Sequence, residues 1–197
     1  MEMARDPHLG LEMVNFYVRC FEPHQEGKLQ GLIDNMAKSN VEIKIISDVM
    51  NKLSHAKQKK EPADFSNDET MMRHIVHIHR NNPTIFEDLI KNFPDHLPPM
   101  DNALFVGEEI TVENVIGENL KEINVWNIRI EPLTETQIDV VVQGLDGELK
   151  RHSADLNESM MKINDSYDLR RQTSESARQG SKEDSEHKKS IVSRMRH

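Results

Sequence analysis

The stretch "RHIVHIHR", residues 73–80, places three histidines within eight positions, and imidazole serves both as a metal ligand and as an acid–base group. Geometry separates the three rings. On a helix His74 and His77 stand three apart and share a face, while His79 lies about 200° around from His77. On a strand His77 and His79 share a face and His74 points away. Neither arrangement gathers all three, and no cysteine stands nearby to complete a zinc set. The stretch is therefore read as a surface helix. Met71, Ile75 and Ile78, with Met72 and Val76 beside them, form an apolar stripe that the histidines edge. "SNDE" (66–69) supplies a capping box, with Ser66 as N-cap and Glu69 as its partner, and "NNP" (81–83) supplies the stop.

Other chemistry is sparse. There is no glycine-rich phosphate loop, nucleophile elbow or HExxH motif. Cys20 sits in an apolar context and is expected to be a buried, inert thiol, since reactive thiols need an electropositive, partly exposed setting. Glu108/Glu109 and Asp184/Glu186 read as solvated charge, because nothing fixes them opposite one another as an acid/base pair. "GLDGELKRH" (144–152) lacks the alternating oxygen ligands of a calcium loop. His152 falls on a helical seam, where a polar residue can select register or partner at some cost in stability. No catalytic residue, metal ligand or cofactor is expected.

Composition bounds the partners. A formal charge of −9 argues against nucleic acid, whose binders carry basic patches. Hydrophobic content of 36% and aromatic content of 5% leave material for a thin seam or a small core, which suits long helices packed side by side. One cysteine excludes an intramolecular disulfide framework. "MEMARDPHLG" shows no cleavable signal pattern, and no apolar run approaches the length a bilayer requires, so no membrane span is expected. The eleven methionines read as adaptable core.

The elements follow from periodicity. Residues 1–27 form an N-terminal segment in which "LGLEMVNFYVRCF" (9–21) is a short apolar helix, broken by Pro23 and Gly27. Residues 28–60 form a first coiled-coil helix. Its seam, Leu29, Leu32, Met36, Ser39, Ile43, Ile46, Met50 and Leu53, steps by alternating three and four, while Val41, Ile45 and Val49 widen the stripe toward another neighbour. At about 1.5 Å per residue the helix would be roughly 45 Å long. Residues 61–132 read as a small α+β insert. In it "TIFEDLIKNF" (84–93) is a helix capped by Thr84, "ALFV" and "EITV" are strands flanking Gly107, and "INVWNIRI" (123–130) is a strand. Residues 133–170 form the second coiled-coil helix, opened by the capping box "TETQ" (134–137). Its seam runs through Ile138, Val142, Leu145, Leu149, His152, Leu156, Ser159 and Ile163, and Tyr167 extends it. Gly144 and Gly147, each costing about 1 kcal/mol against Ala, are expected to mark close approach of a neighbour. Residues 171–197 are polar throughout and read as a disordered tail.

The fold expected is thus mainly α: two long helices in an antiparallel intramolecular coiled coil with a small α+β insert between them. From about Phe93 to Tyr167, "MDNALFVGEEITVENVIGENL" (100–120) and "LTETQIDVVVQGLDGELKRHSADLNESMMKIN" (133–164) resemble the needle-tip and translocon-filament proteins of bacterial type III secretion, of the EspA/SseB type. That resemblance implies an exported, non-catalytic subunit that carries no cofactor. Its partners would be further copies of itself, a needle subunit, translocator proteins and a cytosolic chaperone. It would be cytoplasmic before export and then secreted or on the cell surface, without a cleaved signal peptide. The competing readings are a cytosolic coiled-coil adaptor or chaperone-like protein that binds one partner helix, and, without any candidate constellation to support it, an enzyme with a site in the 81–133 region.

Overall fold

The computed structural model describes residues 16–94, 110–120 and 123–194. Residues 9–15 of the N-terminal apolar stretch and the "ALFV" strand lie outside the described residues. After a π-helical turn, Tyr17–Phe21, come α1 (Glu22–Lys59), α2 (Glu69–Asn81), β1 (Ile90–Lys91), α3 (Val112–Leu120), β2 (Arg129–Ile130) and α4 (Glu135–Arg194). The protein is mainly α, with two long helices that pack together, as expected.

Both long helices exceed their predicted limits. α1 begins at Glu22 and runs through Pro23 and Gly27. Pro23 lies just after the π-helical turn Tyr17–Phe21. α1 ends in a Schellman motif: the N–H of Lys60 bonds to the Lys57 carbonyl at 3.1 Å and that of Glu61 to the Ala56 carbonyl at 3.1 Å. Lys60 takes the left-handed conformation the motif requires, with φ of 56°. α4 starts where "TETQ" places it, the Thr134 N–H donating to Gln137 Oε1 at 2.9 Å. It does not end near residue 170 but continues to Arg194.

The chain divides into two compact units, one of residues 1–34 with 158–197 and the other of residues 35–157. In the first, α1 and α4 lie antiparallel. The Ser166 hydroxyl donates to Gln25 Oε1 at 3.2 Å, and Arg170 Nη2 donates to Glu22 Oε1 at 2.6 Å. The buried residues of α4 here are small: Ser159, Ser166 and Ala177. Small side chains let two backbones approach closely, so a seam can continue where large apolar residues stop.

The second unit holds a single apolar core rather than a bare seam with an appended insert. Val41, Ile45, Ile46, Val49 and Leu53 of α1 share it with Ile138, Val141 and Leu145 of α4. Phe65, α2, Ile85, Phe86, α3 and the residues around β2 supply the rest. Lys57 pairs with Asp139 across the two long helices, again antiparallel. An isolated bridge between Ala63 and Leu133, with N–O distances of 3.0 and 2.9 Å, ties the loop after α1 to the loop before α4.

Several local predictions are corrected. The helix predicted at 84–93 is a 3-10 turn, Pro83–Ile85, capped by Asn82, followed by irregular chain and β1. β1 pairs antiparallel with β2, Ile90 opposite Ile130 and Lys91 opposite Arg129, so only the end of "INVWNIRI" is strand; Val125–Asn127 is a 3-10 turn. Of "EITV", the described residues 110–112 are not strand: Val112 opens α3, with the Thr111 hydroxyl accepting from the Asn114 N–H at 3.2 Å. α2 is capped by Asp68, not Ser66; its carboxylate accepts from the Met71 N–H at 3.1 Å. Cys20 is exposed, not buried.

Candidate functional site

α2 is not a surface helix. Met72, Ile75, Val76 and Ile78 are buried, and so are His74, His77 and His79. The wide stripe of α1 is the reason. Val41, Ile45 and Val49 are buried in the core rather than facing solvent, and the polar residues flanking that stripe, Glu42 and Asp48, meet His77 and His74 of α2.

His77 is 0% exposed, and its Nε2 lies 2.9 Å from Glu42 Oε1. Asn81, one turn further along α2, places its side-chain nitrogen 3.2 Å from the same ring nitrogen. His74 Nδ1 stands 3.9 Å from Asp48 Oδ2, a charge contact beyond hydrogen-bond reach. His79 packs edge-on against Phe93, ring centroids 4.6 Å apart. Among the described residues, no partner lies within hydrogen-bond distance of the Nδ1 atoms of His74, His77 or His79.

α4 completes the junction. Glu148 Oε1 accepts from the Asn82 side chain at 2.8 Å, and Glu148 Oε2 accepts from Arg151 Nη2 at 2.7 Å. His152 is half-buried with Nε2 3.8 Å from Glu148 Oε2, and it also feels the charge of Glu42. Burial holds His74, His79 and His152 below the ordinary histidine pKa, against the opposing pull of Asp48 on His74 and of Glu42 on His152. Burial by itself would raise Glu148, but the hydrogen bonds from Arg151 and Asn82 hold it below its ordinary value.

The junction therefore joins α1 to α2 through the His77–Glu42 bond and the residue after α2 to α4 through the Asn82–Glu148 bond, with His74 and His152 each standing just beyond hydrogen-bond reach of a carboxylate. Among the described residues no three His, Cys, Asp or Glu side chains converge to hold a metal ion. His74 and His77 face α1 while His79 packs on Phe93, but all three lie inside rather than at the predicted surface. The signal that could have moved them inward is the breadth of the α1 stripe, which demands a covering element.

The predicted seam residues fall mostly on the inside. Ile46, Leu53, Ile138 and Leu145 are buried, and Leu29, Leu32, Met36, Ile43, Met50, Val142, Leu149, Leu156 and Ile163 are half-buried. Tyr167 is the exception: it is 52% exposed, and Ser166 occupies the inward position beside it. Gln25, Ser166 and Ala177 extend the inward face beyond the predicted set. Gly144 does mark a close approach, since a Cβ there would lie 3.3 Å from Ile85 Cγ1; Gly147 faces open space. No protein-family model matches the chain, and neither a curated protein nor a solved structure matches it.

Proposed function

We propose that the chain is a structural subunit that associates with further copies of itself through α4 and catalyses nothing. The observation that supports this reading lies in the first unit. There α4 exposes Met160, Met161, Tyr167 and Leu169 to solvent while its buried residues are Ser159, Ser166 and Ala177. Large apolar side chains placed outward on a helix favour burial against another surface. The stripe of Val41, Ile45 and Val49 is buried in the core of the second unit, so the association surface is placed on α4.

The specific form proposed is an exported needle-tip or filament subunit of a type III secretion apparatus, held by a chaperone before export. The pattern in residues 100–120 and 133–164 supports it. No helix among the described residues is long and apolar enough to cross a membrane.

Sedimentation of the full chain at micromolar concentration tests the association. Concentration-dependent growth in mass is expected, and Met161→Glu with Tyr167→Glu should abolish it while leaving helicity unchanged. A strict monomer at every concentration, alone and with a needle subunit, contradicts the reading. Export is tested separately by the appearance of the protein in culture supernatant under secretion-inducing conditions; retention in the cytosol favours the adaptor.

A further inference from the structure

We propose that the histidines of the α1–α2–α4 junction form an acid-operated latch: the second unit is closed while His74, His79 and His152 are neutral and is driven open when they take up protons. The inference is independent of the assembly reading, since it concerns only how residues 35–157 hold together.

The groups facing each ring set the behaviour. His74 faces Asp48, with Asp68 on the favourable side and Lys44 and His77 opposing a positive charge. His79 faces the Phe93 ring, the Pro83 backbone and, more distantly, Glu87. His152 faces Glu42, Glu148 and Asp155, with Arg151 opposing. His77 faces Glu42 and Asn81. Glu42 thus faces rings on two different helices.

The orphaned ring nitrogens sharpen the point. While His74 and His79 are neutral, a buried Nδ1 without a hydrogen-bond partner is tolerated. A proton added on His74 or His79 places a charge in a low-dielectric setting on a ring whose Nδ1 has no hydrogen-bond partner among the described residues, and Asp48, 3.9 Å from His74 Nδ1, and the Pro83 backbone beside His79 offset only part of that cost. Opening the unit to water removes it. Because each ring loses its penalty in the same event, the protons are taken up cooperatively.

The sign follows from the direction of the shifts. The folded-state values of His74, His79 and His152 are depressed, so the open state binds protons more readily. Their contribution to stability is fully present above the ordinary histidine value of about 6.5 and is lost as pH falls through the depressed values. Each ring can raise the opening constant by up to about tenfold per pH unit in that window.

Urea unfolding of the full chain, followed by circular dichroism between about pH 7.5 and about pH 5.5, tests the latch. The unfolding constant should rise more than about tenfold across the range in the native protein. In the triple variant His74→Gln, His79→Gln, His152→Gln that rise should disappear, whatever the variant's stability at neutral pH. A native protein whose unfolding constant is flat across the range overturns the proposal, as does a triple variant that keeps the full rise. Should the variant not fold, ring-proton titration of the native protein by NMR decides. The three rings resisting protonation until well below the free-histidine value supports the latch, and three rings titrating at or above that value overturns it.

Discussion

His77 of α2 and Glu42 of α1 meet with 2.9 Å between Nε2 and Oε1, joining positions 35 residues apart at a place where the histidine ring is wholly enclosed. A buried ring nitrogen without its acceptor keeps its desolvation cost and loses the compensating bond. Glu42→Ala should therefore destabilise the protein by about 2–3 kcal/mol, the scale for losing a charge-assisted hydrogen bond to a buried group. Glu42→Gln keeps an acceptor and should cost distinctly less. Urea midpoints at neutral pH measure both, and equal losses would show that the carboxamide cannot stand in.

Lys60 holds a left-handed conformation, with φ of 56°, because it occupies the position after α1 where the Schellman motif turns the chain. A Cβ in that region costs about 1 kcal/mol or more, and glycine escapes the cost. Lys60→Gly should thus stabilise the protein by up to about 1 kcal/mol, and Lys60→Ala should change little. Thermal melting of the two variants checks the sign.

Gly144 and Gly147 stand three apart on α4 but in different surroundings. At Gly147 a Cβ meets nothing within 4 Å, so Gly147→Ala should stabilise by about 0.5–1 kcal/mol through helix propensity alone. At Gly144 the new methyl would press on Ile85, a buried side chain that must shift to admit it. Gly144→Ala should gain less than Gly147→Ala or lose stability outright, measured as the difference between the two unfolding free energies.

Leu53 and Leu145 are fully enclosed in the second unit, while Tyr167 is largely in solvent. Leu53→Ala or Leu145→Ala should each cost about 2–5 kcal/mol, including the cavity left behind. Tyr167→Ala should stay within about 0.5 kcal/mol in the isolated chain. A large loss at Tyr167 would restore it to the seam.

The three-and-four stepping of Leu29 through Leu53 and of Ile138 through Ile163 was enough to find both long helices and most of their inward residues. Large apolar side chains at a fixed period are a strong signal because burial acts on each of them. The ends of the helices were hidden for an opposite reason. Ser166 and Ala177 are buried because they are small, and a count of apolar residues does not register that. The middle of the chain misled through local chemistry: Asn82 caps a single turn, and Asn92, with φ of 60°, redirects the chain after β1, so the helical period of 84–93 never becomes a helix. Thr111 was a legible N-cap for α3 that the β-branched run obscured. The buried junction could not be read from α2 alone, because the acids that meet His74 and His77, Asp48 and Glu42, lie one helix earlier in the chain.

The central claim is that α1 and α4 run antiparallel within one molecule in a defined register, with Lys57 opposite Asp139. Cross-linking with a short bifunctional thiol reagent in a Cys20→Ser background measures it directly. Lys57→Cys with Asp139→Cys should give a cyclised monomer in high yield. Lys57→Cys with Asp155→Cys, about 24 Å further along α4, should not. Efficient closure of the second pair, or none of the first, would contradict the pairing on which the account rests.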